Sequence, residues 1–160
     1  MRILLVNPTL SSDLETYANT LPNIGLAYLI AAIEPKHQVR LIDTTFHIDN
    51  YKEYILEKIR DYHPDAVGFS TNTFNFRNSL KIARFLREII PDPDIPFIWG
   101  GVHPTLVSEE TLAEPLVDAI CIGEGEITMN YYLEKIENGQ EPYDVEGVWF
   151  KDRKKNIIKN

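Results

Sequence analysis

Short apolar runs of four to six residues alternate along this chain with longer amphipathic stretches, and few folds accept that pattern. A strand covered on both faces reads as a continuous apolar run, whereas a helix covering one side of a sheet repeats every 3.6 residues. The first strand is Arg2–Asn7, ended by Pro8, and a loop through residues 21–23 leads to a helix over Ile24–Ile33, closed by Pro35. Gln38–Asp43 reads as the second strand. Asn50 with Glu53 forms a capping-box pattern for a helix that turns Tyr51, Ile55, Ile59 and Tyr62 to one face. Ala66–Ser70 is the third strand, and the helix after it aligns Phe76, Leu80, Ala83, Leu86 and Ile90 before Pro91 and Pro93 stop it. Residues 95–99 form the fourth strand, Ser108–Ala113 a short helix capped by Ser108, and residues 118–122 the fifth strand. A last helix turns Met129, Tyr132, Leu133 and Ile136 inward. After Asn138-Gly139 the period changes, and residues 145–150 and 156–159 read as a hairpin around the charged turn 151–155.

These elements predict an α/β fold: a doubly wound five-stranded parallel sheet, flavodoxin-like or Rossmann-like, in the order 2-1-3-4-5 with a C-terminal β-hairpin. Residues 1–140 form the domain and 141–160 the hairpin. Right-handed crossovers bring the loops after strands one, three, four and five to one edge, where open α/β sheets bind cofactors. Two tetrapeptides fall there, Gly100-Gly101-Val102-His103 and Gly123-Glu124-Gly125-Glu126. Glycine at a strand end lets backbone approach a ligand closely. With 160 residues the chain is one domain, and a net charge of −8 argues against electrostatic nucleic-acid binding. Cys121, the single cysteine, allows neither a disulfide framework nor a cysteine cluster, and reads as a small buried strand residue. The first apolar run is too short for a signal-peptide core or a membrane span, so the expected location is cytoplasmic.

The edge excludes the commoner cofactors in turn. A dinucleotide fold needs Gly-x-Gly-x-x-Gly after the first strand, where this chain has Asn7-Pro8-Thr9-Leu10. Without that loop, Asp43 reads as a cap or turn residue. No phosphate-binding P-loop is present, and Thr9, Ser11 and Ser12 lack the glycine an FMN loop would want. The third strand ends at Ser70-Thr71-Asn72-Thr73 and not at the aspartate of a receiver domain. What remains is an edge of small and hydroxyl residues, Gly68, Ser70, Thr71, Thr73, Gly100, Gly101, Gly123 and Gly125, able to admit a bulky ligand between its loops.

Read together, the motifs resemble the N-terminal cobalamin-binding domain of cobalamin-dependent radical SAM enzymes of the methyltransferase and ring-cyclase type. The resemblance runs through Asn7-Pro8, residues 22–29, 39–43 and 65–70, Trp99-Gly100-Gly101-Val102-His103-Pro104-Thr105, and Cys121-Ile122-Gly123-Glu124-Gly125-Glu126. The tail from Gly147 is similar to the hairpin that leads to the radical SAM barrel. The resemblance implies a corrin on the carboxyl edge of the sheet, with its nucleotide tail in a slot, base-off. It puts Ser70, Thr71, Asn72, Thr73, Gly100 and Gly101 along the slot, with Asn7, Pro8, Thr9, Gly123, Glu124, Gly125 and Glu126 completing the rim.

Better-known cobalamin modules carry Asp-x-His-x-x-Gly after the first strand, but no histidine lies between Met1 and Lys36 here, so the resemblance implies a His-off cobalt. His103 is the histidine nearest the site, read either as a hydrogen-bonding partner of the cofactor or as a loop cap beside Pro104; His37, His47 and His63 read as surface residues. Glu124 and Glu126 read equally as partners of ligand amides or as complements to a helix dipole. No catalytic residue and no metal ligand is expected in this chain. The iron–sulfur cluster and S-adenosylmethionine would belong to a partner barrel, this chain being read as an excised domain of a larger enzyme. The alternative is a corrinoid-free docking domain of a radical SAM-type protein, which Phe69, Phe74 or Trp99 turned into the slot would favour.

Overall fold

The computed structural model describes residues 1–8, 22–47 and 49–160. Seven strands form one sheet in the order β2-β1-β3-β4-β5-β6-β7. The parallel part is β1 (Arg2–Asn7), β2 (Gln38–Asp43), β3 (Ala66–Ser70), β4 (Phe97–Gly100) and β5 (Ala119–Cys121). Its 2-1-3-4-5 order and the terminal hairpin agree with the sequence reading. The hairpin, β6 (Val148–Lys151) and β7 (Ile157–Lys159), adds to the sheet by pairing antiparallel with β5. The helices are α1 (Ile24–Ile33), α2 (Tyr51–Ile59), α3 (Phe76–Ile89), α4 (Val102–Leu106), α5 (Ser108–Ala113) and α6 (Gly125–Glu137).

Side-chain alternation divides the core into two layers. Leu4, Val6, Val67, Phe69, Phe97, Trp99 and Ile120 pack with Ile55 of α2, Ile82, Ala83 and Leu86 of α3, and Leu112 of α5. Ile3, Leu5, Ala66, Ile98 and Ala119 pack on the other face with α1, α6 and the hairpin, through Leu26, Ile33, Met129, Leu133, Val148 and Phe150. The buried strand residues are nearly all apolar because both faces are covered, which is what the continuous runs predicted.

Several local expectations are corrected. Asn50 precedes α2, but no side-chain capping bond forms there, so the Asn50–Glu53 box is absent. Ser108 is the first helical residue of α5 and not its cap, because its hydroxyl donates back to the Pro104 carbonyl at 2.7 Å. Helix α4 has no counterpart in the sequence reading, since five residues containing a proline show no helical period. Strand β4 starts at Phe97, two residues later than expected: Pro96 has no N–H for the ladder, and the Pro96 carbonyl closes the pairing by accepting from Val67 N. His37 is buried, with Nδ1 3.4 Å from the Met1 amino nitrogen, and burial lowers its pKa. The other reading of a turn holds: Asp43 Oδ1 accepts from Thr45 N at 2.9 Å.

Tyr62 lies past the end of α2 and fastens the amino edge. Its hydroxyl is 3.0 Å from the Ile3 carbonyl and 2.9 Å from the Gln38 carbonyl, and the Arg40 guanidinium lies over its ring. Tyr62→Phe is expected to lower stability by about 1 kcal/mol, read from the urea midpoint, with the secondary structure unchanged by circular dichroism.

Candidate functional site

On the face covered by α1 and α6, the outermost sheet residues at the carboxyl edge are Asn7, Ser70, Gly100 and Cys121. Beneath them run Leu5, Gly68, Ile98 and Ala119, paired in that order across β1, β3, β4 and β5. Gly68 and Gly100 contribute no side chain, and there the two helices span a slot of about 110 Å³. Leu5 and Ile98 line its floor, and Leu26, Leu29 and Met129 its walls. A Cβ on Gly68 would stand 2.7 Å from Leu5 Cδ2, the end of a side chain on the slot's floor, so one of the two would have to shift.

The rim is built by the loops after β3, β4 and β5. Gly101 has φ +97°, and a Cβ there would lie 2.6 Å from the Thr71 carbonyl oxygen and 2.9 Å from its nitrogen. Only glycine fits that conformation and that approach. Thr71 is itself buried: its N–H donates to the Gly100 carbonyl at 2.8 Å, and its carbonyl accepts from His103 N at 3.1 Å. Asn23, the N-cap of α1, accepts from Leu26 N at 3.0 Å through Oδ1. Its Nδ2 reaches Asn7 Oδ1 at 3.1 Å and Ser70 Oγ at 3.3 Å, so one amide joins β1, β3 and the start of α1.

His103 is half-buried, its ring tilted by 31° against Phe76 at 4.0 Å between centroids, with Nδ1 3.3 Å from Thr73 Oγ1. Burial lowers its pKa, against a raising effect of Glu110, so the imidazole is neutral at pH 7. Burial pushes the Cys121 thiol up to about 11, with Glu126 and Glu124 adding to the effect. Glu124 occupies the N-cap position of α6 without a side-chain capping bond, and Glu126 lies in the first turn. Among the described residues no group of three His, Cys, Asp or Glu could hold a metal ion.

Ser70, Gly100, Gly101, Gly123, Glu124, Gly125 and Glu126 therefore meet around one slot. Asn7 joins them through Asn23, and Pro8 follows it, buried. Thr71 sits behind Gly101, and Thr73 pairs with His103 at the rim. Asn72 belongs to a turn in which it and Asn75 each accept from the other's backbone N–H at 2.9 Å. Thr9 lies outside the described residues. Sequence reasoning left out the walls, Gly25, Leu26, Leu29 and Met129, and the polar joint Asn23. Asn23, three residues before Leu26, carried the available signal: asparagine just ahead of an apolar helix is a capping residue.

Residues 11–132 match the family model described as the B12 binding domain. The chain belongs to that family. This B12-binding domain is 30% identical over 157 residues to an uncharacterized methyltransferase of Pyrococcus horikoshii, covering 97% of the chain and 34% of that protein. It is 31% identical over 165 residues to the anaerobic magnesium-protoporphyrin IX monomethyl ester cyclase of Synechocystis, covering 99% and 32%. The chain thus spans about a third of the length of the curated relatives it matches. Its fold is shared with the radical S-adenosylmethionine methyltransferase TsrM of Kitasatospora setae, solved with cobalamin and a 4Fe–4S cluster bound. The TM-score is 0.83 at 18% identity, over 99% of this chain and 28% of that one. The resemblance read from the sequence, to the cobalamin-binding domains of cobalamin-dependent radical SAM enzymes, is borne out.

Two outcomes follow from this geometry. Gly101→Ala is expected to cost on the order of 1–3 kcal/mol in urea unfolding, because an L side chain must leave φ +97° or push Thr71 back. Alkylation of Cys121 by iodoacetamide is expected to stay slow at pH 8 and to keep climbing toward about pH 11, since only the thiolate reacts.

Proposed function

We propose that this B12-binding domain holds base-off, His-off cobalamin across the carboxyl edge of its sheet, with the nucleotide tail in the slot between α1 and α6. The observation that carries the reading is the slot itself. Its walls are apolar, Gly68 and Gly100 put no side chain into it, and its rim is glycine with the Ser70 hydroxyl and the carboxylates of Glu124 and Glu126. A flat heteroaromatic base suits such a gap, whereas the corrin ring needs the open surface above it. The rings that would block the tail do not fill the slot. Phe69 lines the slot but stacks its ring on Trp99 in the opposite layer, and Phe74 is 89% exposed. That arrangement favours cofactor binding over the corrinoid-free docking alternative.

Ser70 Oγ, the Asn23 amide and the backbone N–H groups of the glycine loops would meet the tail and the corrin amides. The first turn of α1 has no acidic side chain, so its N-terminal dipole suits the tail phosphate better than that of α6, which carries Glu126. His103 is engaged with Thr73 and Phe76, which supports a cobalt without a histidine ligand and leaves the neutral ring as a hydrogen-bonding partner at the rim.

Bound cobalamin supplies the organometallic chemistry; this chain's residues bind and orient it and break no bond. In the full protein, residues 1–140 would be the cobalamin-binding domain, and the hairpin 141–160 would lead to a radical SAM barrel. That barrel would hold the iron–sulfur cluster and S-adenosylmethionine for methyl transfer or ring formation. Large exposed apolar side chains follow each parallel strand, among them Ile24, Phe46, Phe74, Val102, Leu106 and Ile127. Exposed apolar surface of this kind favours a protein partner. No described helix is long and apolar enough to cross a membrane.

The test is a dim-light titration with hydroxocobalamin, followed by desalting and an absorption spectrum. Near-stoichiometric retention with a base-off spectrum is expected, and no retention by either this chain or the full-length protein overturns the reading. Gly100→Val fills the slot without backbone strain, because a Cβ there meets only ordinary contacts near 4 Å. It should weaken retention roughly tenfold or more while leaving the urea midpoint within about 1 kcal/mol of the parent.

A further inference from the structure

Thr105 of α4 is half-buried and does not line the slot, yet its hydroxyl touches both glycine loops that do. It donates to the Gly101 carbonyl at 2.9 Å and accepts from Gly123 N at 3.0 Å. The first bond is the ordinary link a helical threonine makes to the carbonyl four residues back. The second is not local: it joins residues 18 apart in sequence. The parallel ladder between β4 and β5 ends at the pair Trp99 and Ile120, so this hydroxyl bridges the two loops past the end of the sheet. Gly123 has φ +77°, and among the described residues nothing lies within 4 Å of where a Cβ on it would be. A hydroxyl that receives one hydrogen bond and passes on another is polarised in the same sense by both, so the N–H to Oγ–H to carbonyl chain is stronger than two separate bonds.

We propose that Thr105 is a positioning residue that locks the Gly100-Gly101 loop and the Gly123 loop in register at the mouth of the slot. Through that register it sets how tightly the slot holds its ligand. The second statement rests on the cobalamin reading above; the first does not. Helix α4 suits this role because its other end is tied as well: His103 N donates to the Thr71 carbonyl, and the His103 ring meets Thr73. The five-residue helix thus joins the loops after β3, β4 and β5.

The experiment compares Thr105→Val, which keeps the branched shape and removes both bonds, with Thr105→Ser, which keeps the hydroxyl. Amide hydrogen exchange at Gly123, followed by NMR on the ligand-free chain, reads the lock directly. Hydroxocobalamin affinity reads its consequence. Thr105→Val is expected to exchange faster at Gly123 and to bind about threefold to tenfold more weakly, with Thr105→Ser close to the parent in both. Unchanged exchange at Gly123 in Thr105→Val overturns the lock, and faster exchange with unchanged affinity overturns its effect on binding. Equal loss in both variants, accompanied by a lowered unfolding midpoint, also overturns the proposal, because it marks a purely structural residue. Should the parent retain no corrinoid, the cobalamin reading fails with it, and Gly123 exchange still decides the lock.

Discussion

The edge of this domain depends on one close approach, the backbone of Gly101 against the backbone of Thr71. With no Cβ on Gly101, the loop after β4 presses onto the loop after β3, where an alanine would collide with the Thr71 carbonyl. The approach also buries polar backbone, which is tolerable because those groups pair: Thr71 N–H with the Gly100 carbonyl, and the Thr71 carbonyl with His103 N–H. The second bond starts α4 in a fixed direction. His103, Thr105 and the mouth of the slot all take their positions from that start.

The slot has a different origin. Sheet and helix normally close on each other by interdigitating side chains, and here the sheet withholds them at Gly68 and Gly100. Leu26, Leu29 and Met129 approach from the helices, so the gap has apolar walls beneath its polar rim. The opposite layer does the reverse. Phe69, Phe97 and Trp99 pack ring against ring there, and the bulk absent from one face is concentrated on the other. A sheet asymmetric in this way is stable on its aromatic side and free to host a ligand on its glycine side.

Electrostatics at the edge favour neutral, hydrogen-bonding contacts. Burial shifts the His103 imidazole and the Cys121 thiol toward their neutral forms, and the carboxylates of Glu126 and Glu124 reinforce the effect on the thiol. The donors near the slot are backbone N–H groups, the Asn23 amide and hydroxyls. That suits a large ligand with many amide groups better than it suits a compact anion.

Much of this was legible in the sequence because the signals are local. Buried parallel strands must be continuous apolar runs, and their alternation with amphipathic stretches determined the α/β class and the 2-1-3-4-5 order. Gly100, Gly101, Gly123 and Gly125 at strand ends identified the edge that matters. Where competing local chemistry exists, the sequence could not choose: Ser108 bonded back along the helix instead of capping it, and Glu53 left its capping box unmade. His37 and Thr105 show a second limit, since burial beside Met1 and a bond to Gly123 both join residues far apart in the chain. The sequence by itself determined the strands, their faces and the glycines. Tertiary structure alone decided that α1 and α6 stop short of the sheet to leave a slot, and that Asn23 and Thr105 tie its loops. The physical reason is that a void and a long-range hydrogen bond are properties of distances between elements, and no residue's own preference records those distances.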